Sequence, residues 1–313
     1  MHSVKERAKA KLERDLGSDF LKFLHDPKTV ELLLNVDGYI WVERLNESMQ
    51  CVGSMRTAQA QAVLETVAGF HGKEITKRNP IIEGELPLDG SRFAGALPPI
   101  VSAPIFSIRK KAISIFTLED YVTDGIMTEQ QRGVLIDAVE QHKNILIIGG
   151  TGSGKTTLVN SVINQMVVND PNERLIIIED TGEIQCAAKN YVQYHTTVDV
   201  SMTDLLKTTL RMRPDRILVG EVRGPEALNL LMAWNTGHEG GVATIHANNA
   251  TSGLDRLKLL ISMHADAPRE IETLIGNVVH LIVHISRDKN GRSVKEIIEV
   301  SGYKNGSYQI NHL

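Results

Sequence analysis

The stretch NILIIGGTGSGKT, residues 144–156, constrains this chain more than any other. A short apolar run reads as a buried strand, a helical pattern starts at Lys155, and between them lies Gly149-Gly150-Thr151-Gly152-Ser153-Gly154-Lys155-Thr156. The match to G-x-x-x-x-G-K-[ST] is complete, and strand, loop and helix are the context the motif demands. Glycines let backbone N–H groups wrap phosphates, and the helix N-terminus adds positive potential. Lys155 is placed to meet the β/γ-phosphates and Thr156 to ligate Mg2+, with Thr157 beside them in the first turn. ATP and Mg2+ are the cofactors this implies. The bland alternative, a Gly-rich turn with an incidental lysine, needs neither flanking element.

Downstream, apolar runs alternate with helical patterns: RLIIIED, helices around 203–212 and 225–234 with RILVGEV between them, then GVATIHA. Such alternation predicts an α/β unit with a buried, mostly parallel sheet. Asn-Gly pairs at 290–291 and 305–306 predict antiparallel strands at its margin. The unit is taken to begin at Thr128, where Thr-Glu-Gln-Gln offers a capping box for a helix running to about residue 142.

Nucleotide hydrolysis needs further groups, and strand ends are where doubly wound sheets place them. RILVGEV brings Glu221 to a strand end, suited to Mg2+ directly or through water, or an exposed carboxylate with no such task. RLIIIEDTGEI brings Glu179, Asp180 and Glu183. Asp180 and Glu183 fit the D-x-x-E form of a helix cap, which leaves Glu179 as the preferred general base. Arg211, Arg213 and Arg223 flank the RILVGEV strand as weaker candidates. TGHEGGVATIHAN holds His238 and His246 in the spacing H-E-x-x-x-x-x-x-H, which is not the zinc pattern H-E-x-x-H and supplies no third ligand. His246, closing a strand, is placed to touch phosphate; His238 is placed to shape the turn before it.

The first part of the chain reads as a smaller α+β domain over 1–114, joined by a linker at 115–127 to the unit at 128–313. Residues 4–25 suggest one helix with Leu12, Leu16, Phe20 and Leu24 at four-residue spacing. That stripe faces either a core or a membrane or partner surface; seven Lys+Arg against five acids over 1–28 is a mild excess for membrane docking. YIWVERL at 39–45 reads as a strand and 57–71 as a helix, while 80–108 is Pro/Gly-rich with short strands carrying Arg92 and Arg109. Those two arginines are either added cations for the phosphates or surface charges.

Composition narrows the classes. The net charge of −4 falls in the second part, with 16 Lys+Arg against 16 Asp+Glu in residues 1–120 and 18 against 22 beyond, so neither part is a basic nucleic-acid-binding domain by charge. Two cysteines, Cys51 and Cys186, exclude a four-cysteine zinc module and suit a reducing compartment. The N-terminal residues lack the apolar core of a signal peptide, and the best apolar run, VVHLIVHI at 278–285, is too short to span a bilayer. A cytoplasmic location, with membrane contact at most peripheral, follows.

GGTGSGKT, RLIIIEDTGE, RPDRILVGEVRG and TGHEGGVATIHAN, in this order and spacing, resemble the Walker A, acidic box, atypical Walker B and His box of the ATPases of type IV and type II secretion systems. The similarity extends back to ELLLNVDGYIWVE at 31–43. It implies a hexameric ring of subunits, each pairing an N-terminal domain with a RecA-like motor and binding ATP between them. Carried over, the resemblance makes Glu179 the catalytic glutamate, Glu221 the Walker B glutamate and His246 the γ-phosphate sensor, with Arg92 and Arg109 contacting phosphates. It implies as partners a homo-hexamer and inner-membrane components of a conjugative secretion machine, at the cytoplasmic face of that membrane. A pilus-retraction or type II secretion ATPase shares this motor chemistry, the lack of a four-cysteine module counting against the type II assembly form. From other classes, a nucleotide-regulated DNA-binding protein conflicts with the balanced charge, and a non-hydrolysing ring scaffold conflicts with intact Lys155, Glu179 and Glu221.

Overall fold

The computed structural model describes residues 2–44, 47–110, 115–197, 199–289 and 291–313. The chain divides into two units, Met1–Ile113 and Ser114–Leu313. Ser114, Leu45 and Asn290, which fall within the sequence-based domain, strand and turn readings, lie outside the described residues.

In the first unit, α1 (His2–Leu16) and α2 (Ser18–His25) precede β1 (Thr29–Leu34), β2 (Tyr39–Arg44) and β3 (Gln50–Ser54). Helix α3 (Thr57–Phe70) follows, then β4 (Ile81–Glu85), β5 (Arg92–Ala96) and β6 (Ile105–Arg109). Among the described residues the strands form one antiparallel sheet in the order β3-β2-β1-β6-β5-β4. The single helix expected over 4–25 is two, broken at Gly17, whose φ of 81° is outside the helical region. The four-residue stripe survives the break. Leu12, Leu16, Phe20 and Leu24 are all buried in the unit's own core, with Phe20 edge-on to Phe106 at 5.9 Å. Each such side chain contributes about 1.5–3 kcal/mol of burial. These residues are therefore spent on packing, and a membrane-facing stripe built from them is set aside.

The stretch read as a linker is part of the second unit. Helix α4 (Leu118–Thr123) starts at a capping box between Thr117 and Asp120, and Leu118, Tyr121 and Met127 are buried in the second unit's core. Leu118 and Tyr121, three apart, share the face that a short helix turns inward. The capping box at Thr128 forms with Gln131 and opens α5 (Glu129–Glu140).

Then come β7 (Ile145–Ile148), α6 (Lys155–Asn169), β8 (Leu175–Glu179), β9 (Tyr191–His195), α7 (Met202–Thr209), β10 (Arg216–Val219), α8 (Glu226–Trp234) and β11 (Val242–Ile245). The chain closes with α9 (Ala250–Ser262), α10 (Ile271–Val278), β12 (Leu281–Asp288), β13 (Gly291–Lys304) and β14 (Ser307–His312). The described strands join in the order β14-β13-β12-β7-β11-β10-β8-β9. From β12 to β9 all neighbours are parallel; β13 and β14 add antiparallel at the margin. This is the α/β architecture with a mostly parallel sheet that the alternation predicts. Every residue of β7, β8, β10 and β11 is buried, because helices cover both faces, which is why these strands read as unbroken apolar runs. Asn305 and Gly306 take φ of 55° and 79°, the left-handed pair a tight hairpin turn requires.

Candidate nucleotide site

The parallel strands β7, β8, β10 and β11 run in one direction, so their carboxyl ends share an edge. Gly149, Glu179, Glu221 and His246 all emerge on that edge, which is where such sheets bind ligands.

The loop from Gly149 to Gly154 leads from β7 into α6. Gly149 has no room for a side chain, since a Cβ would lie 2.1 Å from the Ile285 carbonyl oxygen and 2.6 Å from Ser153 Oγ. Gly154 caps α6 in the left-handed region at φ 99°. Gly150 and Thr151 are exposed at the tip, with Gly152 half-buried behind them. The Ser153 hydroxyl is buried without a hydrogen-bond partner, the orphan expected of a cradle built around another molecule's oxygens. Lys155 is 8% exposed and its Nζ donates to the Gly149 and Gly150 carbonyls, each at 2.9 Å. Thr156 and Thr157 follow in the first turn, whose N–H groups have no acceptor within the helix.

Lys155 Nζ also lies 3.2 Å from His246 Nδ1, and His246 Nε2 lies 2.9 Å from Glu221 Oε1. An ammonium only donates, which assigns Nδ1 as acceptor and puts the ring proton on Nε2, donated to Glu221. Burial, then the Lys155 charge, push His246 below its ordinary range against the pull of Glu221, so the ring is neutral at pH 7. Burial of Glu221 pushes its carboxyl up, but Arg223, His246 and Lys155 outweigh that and hold it below its ordinary range. Glu221 Oε2 accepts from Arg223 Nη2 at 2.7 Å, and Arg223 Nη1 reaches Asp180 Oδ2 at 3.3 Å.

The acidic loop after β8 differs from expectation. Glu179 is 3% exposed, and its Oε2 accepts from the backbone N–H of Glu183 at 2.9 Å and of Ile184 at 3.0 Å. Gln193 Nε2, from β9, donates to its other oxygen. Burial raises the Glu179 pKa against these hydrogen bonds. Its carboxylate thus fastens the loop, and Asn160 on α6 helps by accepting from Gln185 N at 3.1 Å. No helix follows for Asp180 and Glu183 to cap. Asp180 instead accepts from Thr196 Oγ1 at 2.9 Å, and Glu183 Oε2 lies 3.3 Å from Thr156 Oγ1. The carboxylate at Thr156 is therefore that of Glu183, whereas the oxygens of Glu221 face His246 and Arg223. A hydroxyl beside a carboxylate is a hard-oxygen donor set that suits Mg2+.

His238 and His246 stand at opposite ends of β11, so they do not form a pair. Among the described residues no group of three or more His, Cys, Asp or Glu side chains gathers as a metal site. Arg211 and Arg213 are exposed on the turn entering β10, at the sheet edge opposite Glu221. Arg92 and Arg109 are cross-strand partners on β5 and β6 of the first unit, with Glu31 opposite Arg109 on β1. Arg292 on β13, which sequence reading passed over, comes within 3.1 Å of where a Gly154 side chain would sit. Only its place just after an Asn-Gly pair marks it in the sequence.

A glycine loop between strand and helix, a buried lysine within it and carboxylates at the neighbouring strand ends define a P-loop ATPase. The profile of the Type II/IV secretion system protein family matches residues 20–309. The chain belongs to that family of secretion ATPases. It is 49% identical over 303 residues to "Conjugal transfer protein TrbB" of Rhizobium radiobacter, an alignment covering 96% of this chain and 93% of the relative. The crystal structure of the VirB11 ATPase of the Brucella suis type IV secretion system, in complex with sulphate, aligns at TM-score 0.50 and 26% identity. That match covers 94% of this chain and 96% of the other. The pilus retraction motor PilT with bound ADP shares the fold at TM-score 0.66 and 19% identity, over 94% of this chain and 82% of the other.

Proposed function

We propose that the chain hydrolyses ATP with Mg2+ as a subunit of a hexameric ring that drives conjugative type IV secretion at the cytoplasmic face of the inner membrane. The conjugal-transfer name of its 49%-identical relative supports the machine it serves. Among the described residues no helix is long and apolar enough to cross a membrane, which suits a motor docked on inner-membrane components. The observation that carries the catalytic reading is the convergence of Lys155, His246, Glu221 and Glu183 on one sheet edge. Lys155, leaving its two loop carbonyls, meets the β/γ-phosphates that the N–H groups of 149–157 wrap. Thr156 Oγ1 would hold Mg2+, which would neutralise phosphate charge, and Glu183, next to that hydroxyl, orients the attacking water. His246, between Lys155 and Glu221, registers loss of the γ-phosphate. Glu179 acts by holding the loop that carries Glu183.

Steady-state Mg2+-ATP turnover of wild type, Lys155→Ala, Glu183→Gln and Glu179→Gln tests these roles. Lys155→Ala abolishes turnover, and Glu183→Gln lowers kcat by about 100-fold or more with an unchanged melting temperature. Glu179→Gln, which sets an amide NH2 against N–H donors, lowers both kcat and the melting temperature. Wild-type rates in Lys155→Ala and Glu183→Gln defeat the reading. Native mass with and without ATP checks the hexamer, and recovery of pilus-retraction components from envelope-bearing cells points to that machine instead.

A further inference from the structure

Arg223 was a weak candidate by sequence, yet it lies at the centre of the site's acids. Its backbone is fixed, since Glu226 Oε1 accepts from Arg223 N at 2.7 Å and from Gly224 N at 2.8 Å. From that anchor the guanidinium divides. Nη2 reaches Glu221 Oε2 at 2.7 Å and Nη1 reaches Asp180 Oδ2 at 3.3 Å, while the Glu183 charge adds to the field around it. Each carboxylate it touches has a second engagement. Glu221 accepts from His246, and Asp180 accepts from Thr196 beside the β8 end, where Thr196 N also donates to the Glu179 carbonyl at 3.1 Å. One side chain therefore spans the ends of β10 and β8, and through them the two groups flanking the phosphate loop.

We infer that Arg223 is a positioning residue for hydrolysis: it holds Glu221 against His246 and, through Asp180, holds the loop that brings Glu183 to Thr156. It touches none of the P-loop itself; it fixes where two carboxylates point. A planar fork with two separated nitrogens is required, and one ammonium reaches only one carboxylate at a time. The inference rests on the hydrolytic reading of this site.

The test is steady-state Mg2+-ATP hydrolysis by the full chain carrying Arg223→Gln, Arg223→Lys, Asp180→Asn or Arg223→Gln with Asp180→Asn. Arg223 is 51% exposed by side chain, so its variants keep the fold, as thermal melting checks. Arg223→Gln lowers kcat about ten- to a hundredfold while KM stays within about twofold, the signature of lost alignment without lost binding. Arg223→Lys recovers part of that loss. Asp180→Asn lowers kcat in the wild-type background and adds little once Arg223 is gone, because both act through one bridge. Wild-type kcat in Arg223→Gln, a raised KM at wild-type kcat, full recovery by lysine, or the same factor for Asp180→Asn in both backgrounds overturns it. If the wild-type chain turns over no ATP, the hydrolytic reading itself fails; if it does and Arg223→Gln is indifferent, only this inference fails.

Discussion

At the amino ends of the strands, opposite the nucleotide edge, the second unit buries an ion pair whose loss has a calculable cost. Arg216 is 2% exposed and Glu173 is 8% exposed. Glu173 accepts from Arg216 Nε at 2.6 Å and Nη2 at 3.0 Å, and the remaining guanidinium donors reach the Gly240 carbonyl at 3.2 Å and the Val139 carbonyl at 3.1 Å. Glu173→Ala leaves that cation buried with the two carbonyls and the His142 ring, whose Nε2 lies 3.2 Å from Arg216 Nη2. Breaking a buried pair from one side costs about 3–5 kcal/mol, and the two carbonyls that stay place the cost near the lower end, about 3 kcal/mol. For a unit of this size each kcal/mol moves the melting temperature by about 2–4 °C, so the second unit's transition falls by roughly 6–12 °C. Calorimetry at pH 7 measures it. Replacing both partners with methionine removes charge and counter-charge together and restores most of the loss. A fall of under about 2 °C for Glu173→Ala, or a double variant as unstable as the two single losses combined, refutes the reasoning. Below the transition the KM for ATP stays at the wild-type value, since the pair lies away from residues 149–156.

Gly149→Ala brings a Cβ to 2.1 Å from the Ile285 carbonyl, so the loop or β12 must move; binding of a fluorescent ATP analogue is lost, and wild-type affinity contradicts the cradle geometry. His246, held below its ordinary range of about 6.5 by burial and Lys155, contributes stability above that range and loses it as pH falls through its depressed folded value. NMR titration therefore finds its midpoint below about 6.5, Lys155→Ala moves that midpoint upward by removing the adjacent charge, and a downward move contradicts the Lys155 contact.

Much of the fold was legible because its central strands obey one constraint. ILII, LIIIE, RILV and VATI are buried on both faces, so burial alone dictates their composition. Where the constraint weakens, reading failed. β9, YVQYH, borders the sheet with no fully buried residue, and its mixed pattern carries no strand signature. α4 is six residues long, too short for a helical period, and only burial of Leu118 and Tyr121 reveals that 118–123 belongs to a core. At Gly17 the apolar period ran on through a residue whose backbone does not, because the period reports which face is buried and is indifferent to a single break.

The site divides along the same line. A sequence tells which strand end delivers an acid; it does not tell which acid the loop beyond that end turns toward the phosphates. Glu179, Asp180 and Glu183 lie within five residues, and a capping motif plausible on paper assigned two of them to local work. What separates them is the supply of donors. Glu179 is the last residue of a buried strand, where three donors from Glu183, Ile184 and Gln193 converge on its oxygens, one of them from β9, a strand the sequence does not announce. A buried carboxyl so surrounded stabilises the loop. Glu183, beyond the turn, comes to rest 3.3 Å from the Thr156 hydroxyl. Spacing chooses the candidates, whereas the hydrogen-bond donors around each one decide whether it supports the loop or serves the reaction.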